Sequence, residues 1–194
     1  MRPAAAGLSL IEVLFALSLT LAAAGAAIPA FMEVNRAMKL RAAAGVIAGY
    51  LQQARLESVT RGKPVGVRFR DAGTDWLVGT FADGNGTGIR NADIAAGLDP
   101  VLDRETAFSA RCPSVRIARL GGVPDLNGAS GGDAVRFGSS GIATFDSDGS
   151  SSSGSLYLTD GRTQLAVTVT PATGRIRLRR WDARLQAWVS TTRN

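Results

Sequence analysis

The sequence predicts an α+β protein in which one long N-terminal helix, membrane-spanning in its first half and amphipathic in its second, precedes a β-rich head. Three observations predict it. Residues 8–31 form an apolar run that carries a single charge, Glu12. Further on, Ile47, Tyr50, Leu51, Ala54 and Ser58 recur at helical spacing, while Gln52, Gln53, Arg55 and Glu57 fall on other faces. Beyond Gly62 and Pro64 the periodicity changes to two, in short runs separated by Gly, Asp and Ser clusters.

The first element is long enough to matter: at about 1.5 Å per residue, a helix over 8–31 reaches roughly 36 Å, against a hydrocarbon core of about 30 Å. Three readings compete for it, namely a cleaved secretory signal, a generic transmembrane anchor and a prepilin-type segment. The small residues Ala22-Ala23-Ala24-Gly25-Ala26-Ala27 suit the first. Glu12 does not, because a carboxylate in the membrane costs about 2.5–3.5 kcal/mol on insertion scales and usually marks function. Arg36, Lys39 and Arg41 follow the run and outnumber Arg2 before it, a bias that leans against a cytoplasmic N-terminus.

Gly7-Leu8-Ser9-Leu10-Ile11-Glu12-Val13 resembles the processing site of type IV prepilins. The resemblance implies cleavage by prepilin peptidase between Gly7 and Leu8, N-methylation of Leu8, and a role in assembly for Glu12, which falls fifth in the mature chain. In assembled pilins the proposed partner of that glutamate is the N-terminal amine of a neighbouring subunit. Pro29 falls where many pilins carry a helix-kinking proline. Leu8 stands where phenylalanine is usual.

The amphipathic helix is expected to run to about Thr60, where Gly62 and Pro64 stop it. Candidate strands follow at Val65, Val67 and Phe69, then at 76–81, 115–120, 134–137, 142–145, 155–159, 164–170 and 175–181. Loops are expected at 83–86, 121–122, 128–132 and 150–153. Ala54-Arg55-Leu56-Glu57-Ser58 with Arg61-Gly62-Lys63-Pro64-Val65 is similar to the helix-to-strand junction of the family joining the type II secretion minor pseudopilin H with the FimT proteins. Trp76, the stretch from Phe81 to Gly86, Phe137-Gly138, Leu156-Tyr157-Leu158 and Thr173-Gly174-Arg175 extend that resemblance through the head. It implies a helix packed on a β-sandwich-like head, divided as leader 1–7, transmembrane helix 8–31, amphipathic helix 32–61 and periplasmic head 62–194.

The absence of histidine removes the Ser-His-Asp and Cys-His nucleophile arrangements and the commonest zinc sites. With one cysteine, Cys112, no intramolecular disulfide can form, and a buried apolar role is its expected use. Asp83-Gly84-Asn85-Gly86-Thr87-Gly88 has part of a calcium-loop spacing, but Ile94 occupies the twelfth place where glutamate is needed, so a turn is expected. No catalytic residue, cofactor or metal is expected, and the chain is read as a non-enzyme.

Charge is concentrated at the other end. From Gly174 onward there are Arg175, Arg177, Arg179, Arg180, Arg184 and Arg193 against Asp182 alone, so this segment carries most of the net +6. In a strand over 175–181, Arg175, Arg177, Arg179 and Trp181 share one face while Ile176 and Leu178 turn inward. Guanidinium groups suit phosphates, and a tryptophan beside them suits an unpaired base. Gly174-Arg175-Ile176-Arg177 matches the Gly-Arg-x-Arg motif through which the FimT branch is associated with DNA binding. The same arginines would also serve a solvated strand that discourages aggregation, or dock on acidic patches of neighbouring subunits.

Two functions follow as expectations. The first is a minor pilin or pseudopilin of the inner membrane that initiates, caps or joins a secretion pseudopilus or type IV pilus with other pilins. The second is a pilus-associated DNA-binding protein for DNA uptake.

Overall fold

The computed structural model describes residues 9–129 and 132–191. The expected cleavage and methylation site, Gly7 and Leu8, lies outside the described residues. The chain forms two compact units, one up to Ala37 and one from Met38 onward, with helix α1 (Leu10–Arg61) running through the boundary.

Over residues 10–31, α1 is apolar on every face apart from Glu12 and a few small polar side chains, and it is exposed. It is long and apolar enough to cross a membrane. Two of its polar side chains bond within the helix: the Ser18 hydroxyl donates to the Leu14 and Phe15 carbonyls, and the Thr20 hydroxyl to those of Ala16 and Leu17.

From Met38 the helix becomes one-sided. Leu40, Ala43, Ala44, Ile47, Leu51, Ala54 and Ser58 are buried at helical spacing, extending the expected stripe toward the N-terminus by about two turns. The small residues let the head approach closely. The helix ends at Arg61, before the expected stop, where Gly62 turns left-handed and the Lys63 N–H caps the Ser58 carbonyl.

The head consists of two antiparallel sheets. Strands β1 (Val65–Asp71), β2 (Trp76–Ala82), β3 (Val101–Ala107) and β6 (Ile142–Phe145) form the first, in the order β3-β2-β1-β6. The second contains β4 (Arg116–Ile117), β7 (Gly154–Thr159), β8 (Gln164–Thr170), β9 (Arg175–Asp182) and β10 (Ala187–Ser190), in the order β10-β9-β8-β7-β4, with β5 (Val135–Arg136) also paired to β7. Two short helices, α2 (Asn91–Ala95) and α3 (Phe108–Arg111), lie in the connections. One core joins the helix stripe to Val65, Val67 and Phe69 of the first sheet and Leu156, Leu158, Leu165 and Val167 of the second. Phe69 and Phe137 stack with ring centroids 5.7 Å apart.

The expected α+β architecture is therefore the observed one, with corrections in detail. Strand β3 was not expected: Asp103, Arg104 and Glu105 make it look like a loop, yet Glu105 is satisfied across the sheet by Arg68 and Arg70 at 2.8 Å each. Burial alone would raise the Glu105 pKa, but the two guanidiniums outweigh it and hold the carboxyl below its usual range. The expected strand at 115–120 shortens to β4 because the Gln164 side chain takes over, receiving the Leu120 N–H and donating to the Ala118 carbonyl. The segment at 134–137 contracts to β5, and α2, α3 and β10 are additions.

Candidate functional site

Glu12 lies in the first turn of α1, where the helix dipole favours a negative charge. Its N–H bonds the Ser9 carbonyl at 3.0 Å. No cation lies within ion-pair distance of its carboxylate among the described residues. Pro29 sits inside the same helix and, lacking an N–H, leaves the Gly25 carbonyl without its usual donor.

At the far end of the chain, β9 carries Arg175, Arg177, Arg179 and Trp181 at alternate positions, while Ile176 and Leu178 pack against the core from the other face. The register aligns Arg177 with Thr168 and Arg179 with Ala166, so the arginines stand on the outer face of the second sheet. Arg175 and Arg177 are exposed and Arg179 is partly covered. None of the three has a carboxylate within ion-pair distance among the described residues, whereas Arg180, on the opposite face, meets Asp182 at 3.5 Å.

Trp181 is only half exposed. Its ring meets Trp188 of β10 edge-on at 5.7 Å, and Trp188 in turn tilts against Tyr157. The Trp188 indole N–H donates to the Pro124 and Asp125 carbonyls, and the Leu126 N–H donates to the Tyr157 hydroxyl. Residues 123–126 thus lie over this end of the outer face, anchored by Asp125, whose buried carboxylate accepts from the Asn127 and Ala129 N–H groups and from Arg136. The accessible part of the ladder is its Arg175 and Arg177 end.

Gly174 explains where that end is fixed. It has φ +57°, and a Cβ there would stand 2.9 Å from the Gly149 carbonyl oxygen and 3.0 Å from the Arg55 Nε. The β8–β9 turn therefore seats against α1 and the loop after β6, bringing Arg55 to the foot of the ladder. Residue-type reasoning placed Arg55 only off the buried stripe; its nearness to Gly174 depends on a turn far away in sequence. We expect Gly174→Ala to lower stability by about 1–3 kcal/mol, the usual cost of a non-glycine residue held in this region, read as a lower guanidinium midpoint. Adding Arg55→Ala removes part of the crowding but not the dihedral strain, so recovery in the double variant is incomplete.

Two other features resolve as structural. Asp83 is buried, and its carboxylate accepts the N–H groups of Asn85, Gly86 and Gly88, so it organises the turn and turns N–H dipoles toward the space a cation would need. Cys112 is buried and free, and burial pushes its thiol pKa up despite Arg111. No group of three or more potential metal ligands occurs among the described residues.

An exposed apolar helix that becomes the buried spine of a two-sheet antiparallel head is the architecture of a pilin-like protein. The family model described as type II transport protein GspH matches residues 43–174, and the chain belongs to that family of type II secretion pseudopilins. The match spans α1 from Ala43 onward and the head through Gly174. No curated protein and no solved structure matches the chain.

Proposed function

We propose that the chain is a minor pseudopilin of a type II secretion system. Prepilin peptidase cuts between Gly7 and Leu8, the new N-terminus at Leu8 is methylated, and α1 holds the subunit in the inner membrane with the head in the periplasm. The subunit then joins other pseudopilins, initiating or capping a short filament, with Glu12 pairing to a neighbour's N-terminus and Pro29 adjusting the helix path. The role is structural, with no catalytic turnover. One observation carries this reading: over residues 10–31, α1 exposes an apolar surface whose one charge is the carboxylate of Glu12, unpaired among the described residues, in a chain of the GspH family. Mass spectrometry of the mature protein tests it. A chain beginning at methylated Leu8 is expected; one beginning near Gly25 or Ile28 would return the protein to ordinary secretion.

The three unpaired guanidiniums of β9 favour a second reading, in which the head holds DNA without sequence preference. For full-length protein in detergent, the expected result is an affinity that falls steeply with salt. Arg175→Ala/Arg177→Ala should flatten the log–log slope by about two units for duplex DNA. DNA binding absent at low salt, or a slope unchanged in the double variant, would remove this reading and leave the pseudopilin role untouched.

A further inference from the structure

The assembly role makes no use of Arg36, Lys39 and Arg41, which follow the apolar run and oppose the usual charge bias of an anchor. In the head unit, one of them lines a small crevice. Lys39, Ala42 and Val46 of α1 form one wall, and the turn after α3, with Arg111, Cys112 and Val115, forms the other, around a volume of about 200 Å³. The floor is apolar and the cations stand at its margin. The Arg111 guanidinium lies 5.2 Å from the Tyr50 ring centroid, which fixes its position. Asp103 faces the Tyr50 hydroxyl from β3. No carboxylate lies within ion-pair distance of Lys39 or Arg111 among the described residues.

An apolar floor beneath two unpaired cations fits an amphiphile with an anionic head. Nucleic acid would meet the cations but has nothing for the floor; an apolar side chain would fill the floor and leave both cations unmet. Chain length supplies the second argument. Lys39 is the eighth residue after Phe31, so it stays within roughly 28 Å of the end of the apolar run whatever path the chain takes. The headgroup layer itself adds about 5–8 Å outside the hydrocarbon on each side.

We infer that this crevice binds an anionic phospholipid, with its phosphate between Lys39 and Arg111 and its first apolar carbons against Ala42, Val46 and Val115. Arg36 and Arg41 add attraction for the same charged surface. The contact holds the head at the membrane before assembly, and it gives the cations beyond the anchor a use that orientation does not. The inference rests on α1 being the membrane anchor.

Cys112 lines the crevice, and because its thiol is buried and its pKa raised, its alkylation by N-ethylmaleimide is slow. Followed at alkaline pH until the thiol is consumed in phosphatidylethanolamine alone, it sets the baseline against which occupancy is read. The full chain is placed in nanodiscs of phosphatidylethanolamine, alone or with phosphatidylglycerol. Phosphatidylglycerol should slow alkylation. In Lys39→Gln/Arg111→Gln the amount needed for half-protection should rise about 25-fold, at about fivefold per cation, while the charge-keeping Lys39→Arg/Arg111→Lys retains protection. Equal alkylation with and without phosphatidylglycerol would overturn the inference, as would protection indifferent to the double Gln variant. Protection that instead tracks protein concentration in phosphatidylethanolamine alone would assign the crevice to a second copy and overturn it too. Flotation separates the two levels: a chain that does not float with the nanodiscs refutes the anchor and the lipid site together. A floating chain with an unprotected Cys112 refutes the lipid site alone.

Discussion

Phe137→Ala should lower the stability of the head by about 3–5 kcal/mol, the range for removing a buried aromatic ring from a core that cannot collapse around the gap. Phe137 is 1% exposed and follows β5 of the second sheet, while its stacking partner Phe69 belongs to β1 of the first. The ring therefore bridges the sheets, and neither can close the cavity without moving its own hydrogen-bonded ladder. Gly154 of β7 makes the site tight from below, since a Cβ there would stand 2.1 Å from Phe137 Cδ1 and 2.6 Å from the Arg136 carbonyl oxygen. Gly154→Ala alone should accordingly destabilise by overpacking. Combined with Phe137→Ala it should cost less than the sum of the two single changes, because the methyl group then enters the space the ring has left. Chemical denaturation followed by tryptophan fluorescence measures all three variants. Strict additivity would mean that the ring and Gly154 do not share the space described.

The parts of this fold that were legible in the sequence are those whose signal is local. The buried stripe of α1 is a periodicity within one element, and Ile47, Tyr50, Leu51, Ala54 and Ser58 are all buried as spacing requires. The period-two pattern of β9 is equally local, so the common face of Arg175, Arg177 and Arg179 could be read directly. Strand β3 could not, because its charged residues become acceptable only when Glu105 meets Arg68 and Arg70 from a strand more than thirty residues earlier. Trp181 shows the same limit at the site. Alternation puts it on the ladder face, but only the β9–β10 pairing, which sets Trp181 opposite Trp188, reveals that its ring is partly occupied. Arg55 beside Gly174 and Lys39 across from Arg111 are likewise products of tertiary contact.

Glu12→Leu should leave the subunit in the membrane in normal or greater amount and yet exclude it from the filament. The two effects have opposite signs because the carboxylate opposes insertion of the single chain and favours packing of several. Removing it relieves about 2.5–3.5 kcal/mol of insertion cost. In the assembled state, on the proposed pairing, it strands a neighbour's N-terminal amine in hydrocarbon, at about 3–5 kcal/mol for a broken buried pair. That corresponds to a loss of roughly two to four orders of magnitude in the assembly equilibrium. Ser18 and Thr20 cannot substitute: their hydroxyls donate to carbonyls of their own helix and keep lone pairs free to accept, but they carry no charge to balance the amine. Glu12→Gln keeps an acceptor but not the charge, so it should fall between the wild type and Glu12→Leu. Membrane fractionation measures the first effect, and crosslinking to partner pseudopilins measures the second. A Glu12→Leu subunit that crosslinks as the wild type does would show that the carboxylate has no part in assembly. A subunit lost from the membrane would instead place its contribution in insertion or processing.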